Sequence, residues 1–213
     1  MTDVIPDVQI LEVGPPALAE YDRIPSAFEI RTILEVQSLE SGLGGLRLVE
    51  VPVPQPYVKD YDAYEDGPPS AWVNQFDISN WGILLARAGQ QPVGAAAIAF
   101  NTAGVNMLEG RSDLAVLWDI RVHPDWRRLG LSRRLLKAAA DWASLRGCTM
   151  MKIETQNVNI SACRFYASQG CQLGAIHRFG YITHPLVSHE AMLLWYLHLP
   201  YRSLPDLKEN KFP

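Results

Sequence analysis

The chain has 213 residues, 48% of them hydrophobic and 20% charged, with a formal net charge of -4. These are the proportions of an ordinary globular protein able to bury a core. The acidic balance excludes a polyanion as the main partner, because holding a phosphate backbone needs a basic face, so no nucleic-acid partner is expected. The opening Met1-Thr2-Asp3-Val4-Ile5-Pro6-Asp7 carries neither a basic start nor an apolar run, and no apolar stretch approaches the roughly 20 residues of a membrane-spanning helix. A cytoplasmic protein without a membrane partner is expected. Cys148, Cys163 and Cys171 lack paired ligand spacing, as reduced thiols would. No repeat or low-complexity tract divides the chain, so it reads as a single domain over 1–213, with a β-rich part at 27–100 and a core at 114–197.

In chain order, Ala27 to Gln37 and Gly45 to Val53 read as two extended segments around the turn-forming Ser41-Gly42-Leu43-Gly44-Gly45, an N-terminal hairpin. The segment Tyr57 to Trp81 is dense in Tyr, Trp, Pro and acids; a connection of that length in a compact domain is usually functional. Trp81 to Ala88 and Pro92 to Phe100 form a second apolar pair, and Leu114 to Val122 a further strand. The period then changes. Leu131, Leu135, Ala139, Trp142 and Ala143 fall at helical spacing, with Gly147 placed to cap the C-terminus. Thr149 to Thr155 alternates like a strand, Ser161 to Gln169 reads as a short helix ended by Gly170, and Cys171 to Arg178 and Ala191 to His198 as closing strands. An antiparallel start followed by strand, helix, strand, helix, strand predicts an α/β fold around a mixed sheet.

Chemistry concentrates where the strand Leu117-Trp118-Asp119-Ile120-Arg121-Val122 turns through Arg127-Arg128-Leu129-Gly130-Leu131-Ser132 into a helix. Gly130 lets the main chain approach a ligand, the first helical turn leaves amide groups unpaired, and the helix dipole adds positive charge. Arg127, Arg128, Arg133 and Arg134 can add charge-assisted contacts. The turn suits a pyrophosphate, although an ordinary strand-to-helix turn with a solvated basic face would look similar.

With Glu154-Thr155-Gln156-Asn157-Val158-Asn159 and Tyr166 downstream, this turn resembles the acetyl-CoA signature of the GNAT acetyltransferases. Ser132 stands where the signature has Gly or Ala. The resemblance implies a mixed, mostly antiparallel central sheet flanked by helices, with acetyl-CoA as acetyl donor and a small-molecule amine as acceptor. It implies main-chain contacts to the pantetheine arm from Ile120, Arg121 and Val122, phosphate contacts from Arg127, Arg128, Leu129, Gly130, Leu131, Ser132 and Arg133, a hold on the arm by Asn159, and Tyr166 near the sulfur as general acid. The run from Glu154 to Cys163, with Asp119-Ile120, Tyr57 to Asp62 and Phe76 to Trp81, looks most like the streptothricin acetyltransferases within the superfamily.

A Lys-like amine must lose its proton before it attacks a thioester, at a cost of roughly 4 kcal/mol at neutral pH. Asp119 and Glu154, on strands flanking the expected cleft, are the candidate general bases, and either can equally be a structural ion-pair partner. Asp60, Asp62, Glu65, Asp66 and Asp77, opposed only by Lys59, are placed to attract a cation. Asp60, Asp62 and Trp81 are the expected acceptor-binding residues. Asp62 to Gly67 lacks the ligands of a calcium loop, and His184 and His189 have no partners at ligand spacing, so no metal is expected. P-loop and serine-hydrolase motifs are absent. A protein lysine as acceptor, a non-catalytic acyl-CoA-binding module and a homo-oligomer stay open at this point.

Overall fold

The structure, a computed structural model, describes residues 7–64 and 67–200. The elements in order are β1 (Val8–Val13), α1 (Leu18–Tyr21), β2 (Phe28–Ser38), β3 (Leu46–Lys59), β4 (Gly82–Ala88), β5 (Gln91–Ala99), β6 (Leu114–Val122), α2 (Leu131–Leu145), β7 (Met150–Gln156), α3 (Ile160–Ser168), β8 (Gln172–His177) and β9 (Met192–His198). Among the described residues seven strands form one sheet in the order β1-β4-β5-β6-β7-β9-β8, and β2 pairs with β3 in a second, two-stranded sheet. Within the large sheet β6 and β7 run parallel, and all other neighbours are antiparallel. The mixed, mostly antiparallel α/β architecture is as expected.

Two strands depart from the sequence reading. β1, which the sequence does not announce, pairs with β4 at the sheet edge, and Val8 is its one buried residue. β3 runs on past Val53 to Lys59 despite Pro54 and Pro56, because the ladder is broken there: Ile30 pairs with Tyr57 and Thr32 with Pro52. A proline costs no ladder hydrogen bond where the register has already slipped.

The large sheet is covered on both faces. On one, Leu131, Leu135, Ala139 and Trp142 of α2, with Cys163 and Tyr166 of α3, pack against Leu84, Ala96, Ile98, Leu117, Ile153 and Leu193. These α2 positions recur every three or four residues, which gives the helix one apolar stripe. Trp142 lies flat on β4 because a Cβ on Gly82 would fall 2.5 Å from its ring. On the other face, Leu18 and Tyr21 of α1, Ile24, Trp72 and Trp81 pack against Ile83, Leu85, Ala95, Ala97 and Val116. β5, buried from Pro92 to Ala99, accordingly reads as a continuous apolar run without alternation.

Candidate active site

The site begins with a fault in the sheet. β6 and β7 pair only from Leu114 to Leu117 against Met150 to Ile153; beyond that point β6 follows β5 and β7 follows β9. The cause lies in β6. Ile98 pairs with Leu117 and Ala97 with Asp119, so Trp118 is an extra residue, and a bulge bends its strand and sharpens the local twist. Between the parted strands opens a cleft of about 1000 Å³, walled by Trp118 to Val122 on one side and Glu154 to Gln156 on the other. The bulge also re-aims side chains. Leu117, Ile120 and Val122 belong to the α2 side of the sheet, whereas Trp118 packs on the α1 side, and Asp119 and Arg121 reach Tyr21 there.

At the end of β6 the chain makes the turn that opens α2. Arg128 and Gly130 both adopt left-handed backbone, with φ of 64° and 78°, so the turn curls its amides around a concavity that favours an anion. A Cβ on Gly130 would meet no protein atom within 4 Å; backbone conformation alone demands glycine there, and the space above it is free for a ligand. Leu131 anchors the helix in the core, and Arg127 is steadied by a 3.2 Å hydrogen bond from Nε to the Val122 carbonyl. Arg127, Arg128 and Ser132 line the cleft together with Ile120, Arg121, Val122, Asn159 and Tyr166. Of the remaining expected cofactor contacts, Leu129, Gly130, Leu131 and Arg133 are not among the lining residues; Leu131 is buried and the other three are exposed. The residues present therefore fit a pyrophosphate followed by an extended arm.

The two candidate bases differ sharply in surroundings. Asp119 meets Arg121 through two hydrogen bonds, 3.0 Å from Nε and 2.7 Å from Nη2, and accepts another of 2.6 Å from the Tyr21 hydroxyl. Arg121 also holds Asp62, with Nη1 at 2.9 Å from Oδ2, and its guanidinium lies over the Tyr21 ring. Burial alone would lower the Arg121 pKa, but the Asp119 and Asp62 carboxylates outweigh it and hold the cation fast. Arg121 was expected to lend only its main chain; its side chain is the hub of this cluster. One oxygen of Glu154 accepts a 2.5 Å hydrogen bond from Tyr181, and Glu154 lines the cleft.

Tyr166 is buried among core side chains of α3 yet reaches the cleft wall, and its hydroxyl makes no hydrogen bond to a described residue. Burial, then the Asp119 charge, pushes its pKa well above the ordinary phenol value. Asn159 caps α3, its Oδ1 accepting from the Ala162 amide at 3.1 Å.

Of Asp60, Asp62 and Trp81, the residues expected to bind the acceptor, Asp62 alone is on the cleft wall. Asp62 is on the wall but bound to Arg121. Asp60 is off the wall, accepting from Ser26 Oγ at 2.7 Å and from the Asp62 amide at 3.1 Å. Trp81 lies behind the wall with its indole N–H on Thr102, stacked on Phe76. The aromatic wall itself is Tyr61, Tyr64, Trp72, Phe76 and Trp118. Lys59, the one cation set against the acidic run in the sequence, is buried against Glu190, both side chains being 2% exposed. Glu65 and Asp66 lie outside the described residues. Among the described residues no group of three metal-ligating side chains gathers, and no helix is long and apolar enough to cross a membrane.

A strand parted by a bulge, an anion-cradling turn at a helix start and a phenol at the cleft define an acyl-CoA site, and the chain belongs to the GNAT acetyltransferase family, whose model matches residues 49–171. It is an acetyl-CoA-dependent acyltransferase. It is 30% identical over 187 residues to a streptothricin acetyltransferase of Escherichia coli, a match covering 87% of this chain and 94% of that one. A Bacillus anthracis protein solved in complex with acetyl coenzyme A superposes with a TM-score of 0.69 at 25% identity, over 91% of this chain and all of its own. A nourseothricin acetyltransferase shares the fold, with a TM-score of 0.70 at 21% identity over 91% of this chain and 99% of that one.

Proposed function

We propose that the enzyme moves the acetyl group of acetyl-CoA onto a primary amine of a small cationic compound of the streptothricin kind. The observation that carries this reading is the division of charge along the cleft. Arg127 and Arg128 stand where β6 ends, whereas Glu154 and the aromatic wall stand by the bulge, roughly 13 Å back along an extended strand. An anionic donor and a cationic acceptor are thereby drawn to different ends, with their reacting atoms meeting between Glu154 and Tyr166. Kinship with streptothricin acetyltransferases over most of the chain supports the same choice.

In this reading Glu154, on the cleft wall with Tyr181 donating to one of its oxygens, accepts the proton that the attacking amine sheds. Asp119, with Arg121 and Tyr21 on its oxygens, is left as the structural carboxylate that fixes the floor. Tyr166 supplies a proton or hydrogen bond to the departing sulfur, and the left-handed turn at Arg128 and Gly130 holds the pyrophosphate. The test is release of free CoA thiol from acetyl-CoA with a panel of amines: streptothricin, polyamines and lysine-containing peptides. Turnover of streptothricin at a KM well below those of the peptides is expected; faster turnover of a peptide than of any small amine would refute the acceptor class.

A further inference from the structure

Glu154 stands at the end of a line of hydrogen bonds from four other residues. Asn159 Nδ2 donates to the Tyr61 hydroxyl at 3.3 Å. The Tyr61 hydroxyl donates to Gln156 Oε1 at 2.6 Å, Gln156 Nε2 donates to the Tyr181 hydroxyl at 2.9 Å, and the Tyr181 hydroxyl donates to Glu154 Oε1 at 2.5 Å. The direction of this line is forced from its far end. The Ala162 main-chain amide can only donate, so the Asn159 atom facing it at 3.1 Å must be the oxygen. The Asn159 NH2 group must then face Tyr61, whose one hydrogen is left for Gln156, whose own NH2 group must turn to Tyr181, whose one hydrogen is left for Glu154. No amide can flip and no hydroxyl can rotate without losing a bond. Bonds aligned head to tail polarise one another, so each strengthens the next toward the carboxylate.

We propose that Asn159, Tyr61, Gln156 and Tyr181 form a one-way hydrogen-bond chain, anchored by the cap of α3, that holds Glu154 as an aimed acceptor of the amine proton, with Tyr181 as its positioning residue. The inference rests on the acetyl-transfer reading and adds to it a role for the connection between β8 and β9, from which Tyr181 comes. The chain carries polarisation and not protons: an amide such as Gln156 relays none, and the proton leaving the amine nitrogen ends on a Glu154 oxygen. Tyr181 is not part of the cleft wall, so its hydroxyl acts on the reaction only through Glu154 and Gln156.

Tyr181, Tyr61 and Tyr166, from the β8–β9 connection, the turn after β3, and α3, are all pushed above the ordinary phenol value, chiefly by burial. Beyond Tyr61 the Lys59 ammonium is bonded to Glu190, and across the cleft Asp119 and Asp62 are bonded to Arg121. Losing a donor to a carboxylate raises its pKa.

The experiment measures kcat against pH for CoA release with streptothricin as acceptor, or spermidine if streptothricin is not turned over. Tyr181→Phe and Tyr21→Phe are compared with wild type, each deleting one phenol hydrogen from one carboxylate. The amine titrates identically in all three, so a difference between them belongs to the enzyme. In Tyr181→Phe the lower apparent pKa on the acid limb is expected to rise by about one unit and kcat at pH 7 to fall about tenfold, with the KM for acetyl-CoA unchanged. Tyr21→Phe is expected to leave that limb in place. Gln156→Glu offers Tyr181 a second carboxylate and is expected to move the limb the same way; it decides the matter should Tyr181→Phe not fold. An unmoved limb in folded Tyr181→Phe, or an equal shift in Tyr21→Phe, overturns the chain while leaving acetyl transfer standing. A wild-type enzyme that releases no CoA with any amine overturns the acceptor reading instead.

Discussion

Replacing Tyr166 with Phe deletes one proton and keeps the ring that packs with Cys163 and Leu135 in the core. The hydroxyl makes no hydrogen bond to a described residue, so its loss orphans no partner, and the melting temperature should stay within a degree or two of wild type. The expected effect on turnover follows from the pKa. Burial and the Asp119 charge raise the phenol well above 10, whereas a thiol lies near 8.5, so full transfer of the proton to the sulfur is uphill by at least about 1.5 units, or roughly 2 kcal/mol. Tyr166 therefore contributes mainly as a hydrogen-bond donor to the charge growing on sulfur, worth about 1.5 to 3 kcal/mol for an ionic partner. That corresponds to a fall in kcat of about 10- to 100-fold, toward the low end of what general acids supply. The assay is steady-state CoA release with both substrates varied. The reasoning is refuted by full turnover in folded Tyr166→Phe, or by a rise in the KM for acetyl-CoA that accounts for the whole loss.

Gly130→Val is expected to weaken acetyl-CoA binding at least about tenfold, because a β-branched residue is strained at φ 78° and projects into the space above the turn; calorimetry with acetyl-CoA checks it. Asp119→Asn and Glu154→Gln should separate fold from chemistry. The first leaves buried Arg121 short of a partner and should cost about 3 kcal/mol, or roughly 6 to 12 °C in melting temperature. The second should leave melting nearly unchanged while lowering kcat by about 100-fold or more. Asp113, whose carboxyl Arg111 and then Thr149 hold at about 2, contributes stability that is fully present above the unfolded carboxyl value near 4 and is lost as pH falls toward 2. Asp113→Asn should flatten the melting curve's dependence on pH across that window.

How much of this was legible in the sequence depends on whether a feature is local. Strands β4 to β7 announce themselves as apolar runs and both longer helices by an apolar face, and Asp119, Glu154 and Tyr166 lie inside those elements, with Asn159 capping the second helix. β1 was not legible: an edge strand with Val8 as its one buried residue has no alternation to show. Tyr21, Tyr61 and Tyr181 were missed for a different reason. They sit in α1 and in two connections, far apart in sequence, and only the topology carries their hydroxyls to Asp119, Gln156 and Glu154. The density of aromatics between Tyr57 and Trp81 pointed to the right segment but not to the right faces; Trp81 turned inward while Trp72 and Phe76 reached the wall. Arg121 had a readable signal. An acid and an arginine two apart on one strand share a face, and Asp119-Ile120-Arg121 predicts that pair on inspection.

The bulge at Trp118 links these observations. Strict alternation from Leu117 would send Asp119 to the α2 side, where Leu135 and Leu131 leave an ionised group no partner. One inserted residue sends it to the other side, to Tyr21 and, through Arg121, to Asp62. The same insertion bends β6 away from β7, and so opens the cleft that the neutralised cluster floors. Opening the sheet and disposing of its buried carboxylate are therefore one structural event. Glu154 lies on β7, the strand that does not bulge. A fold that parts two parallel strands exposes polar main chain on both inner edges; here β6 carries one such edge, while β7 places Glu154, with a directed hydrogen bond from Tyr181 behind it, in the wall of the same cleft as Tyr166.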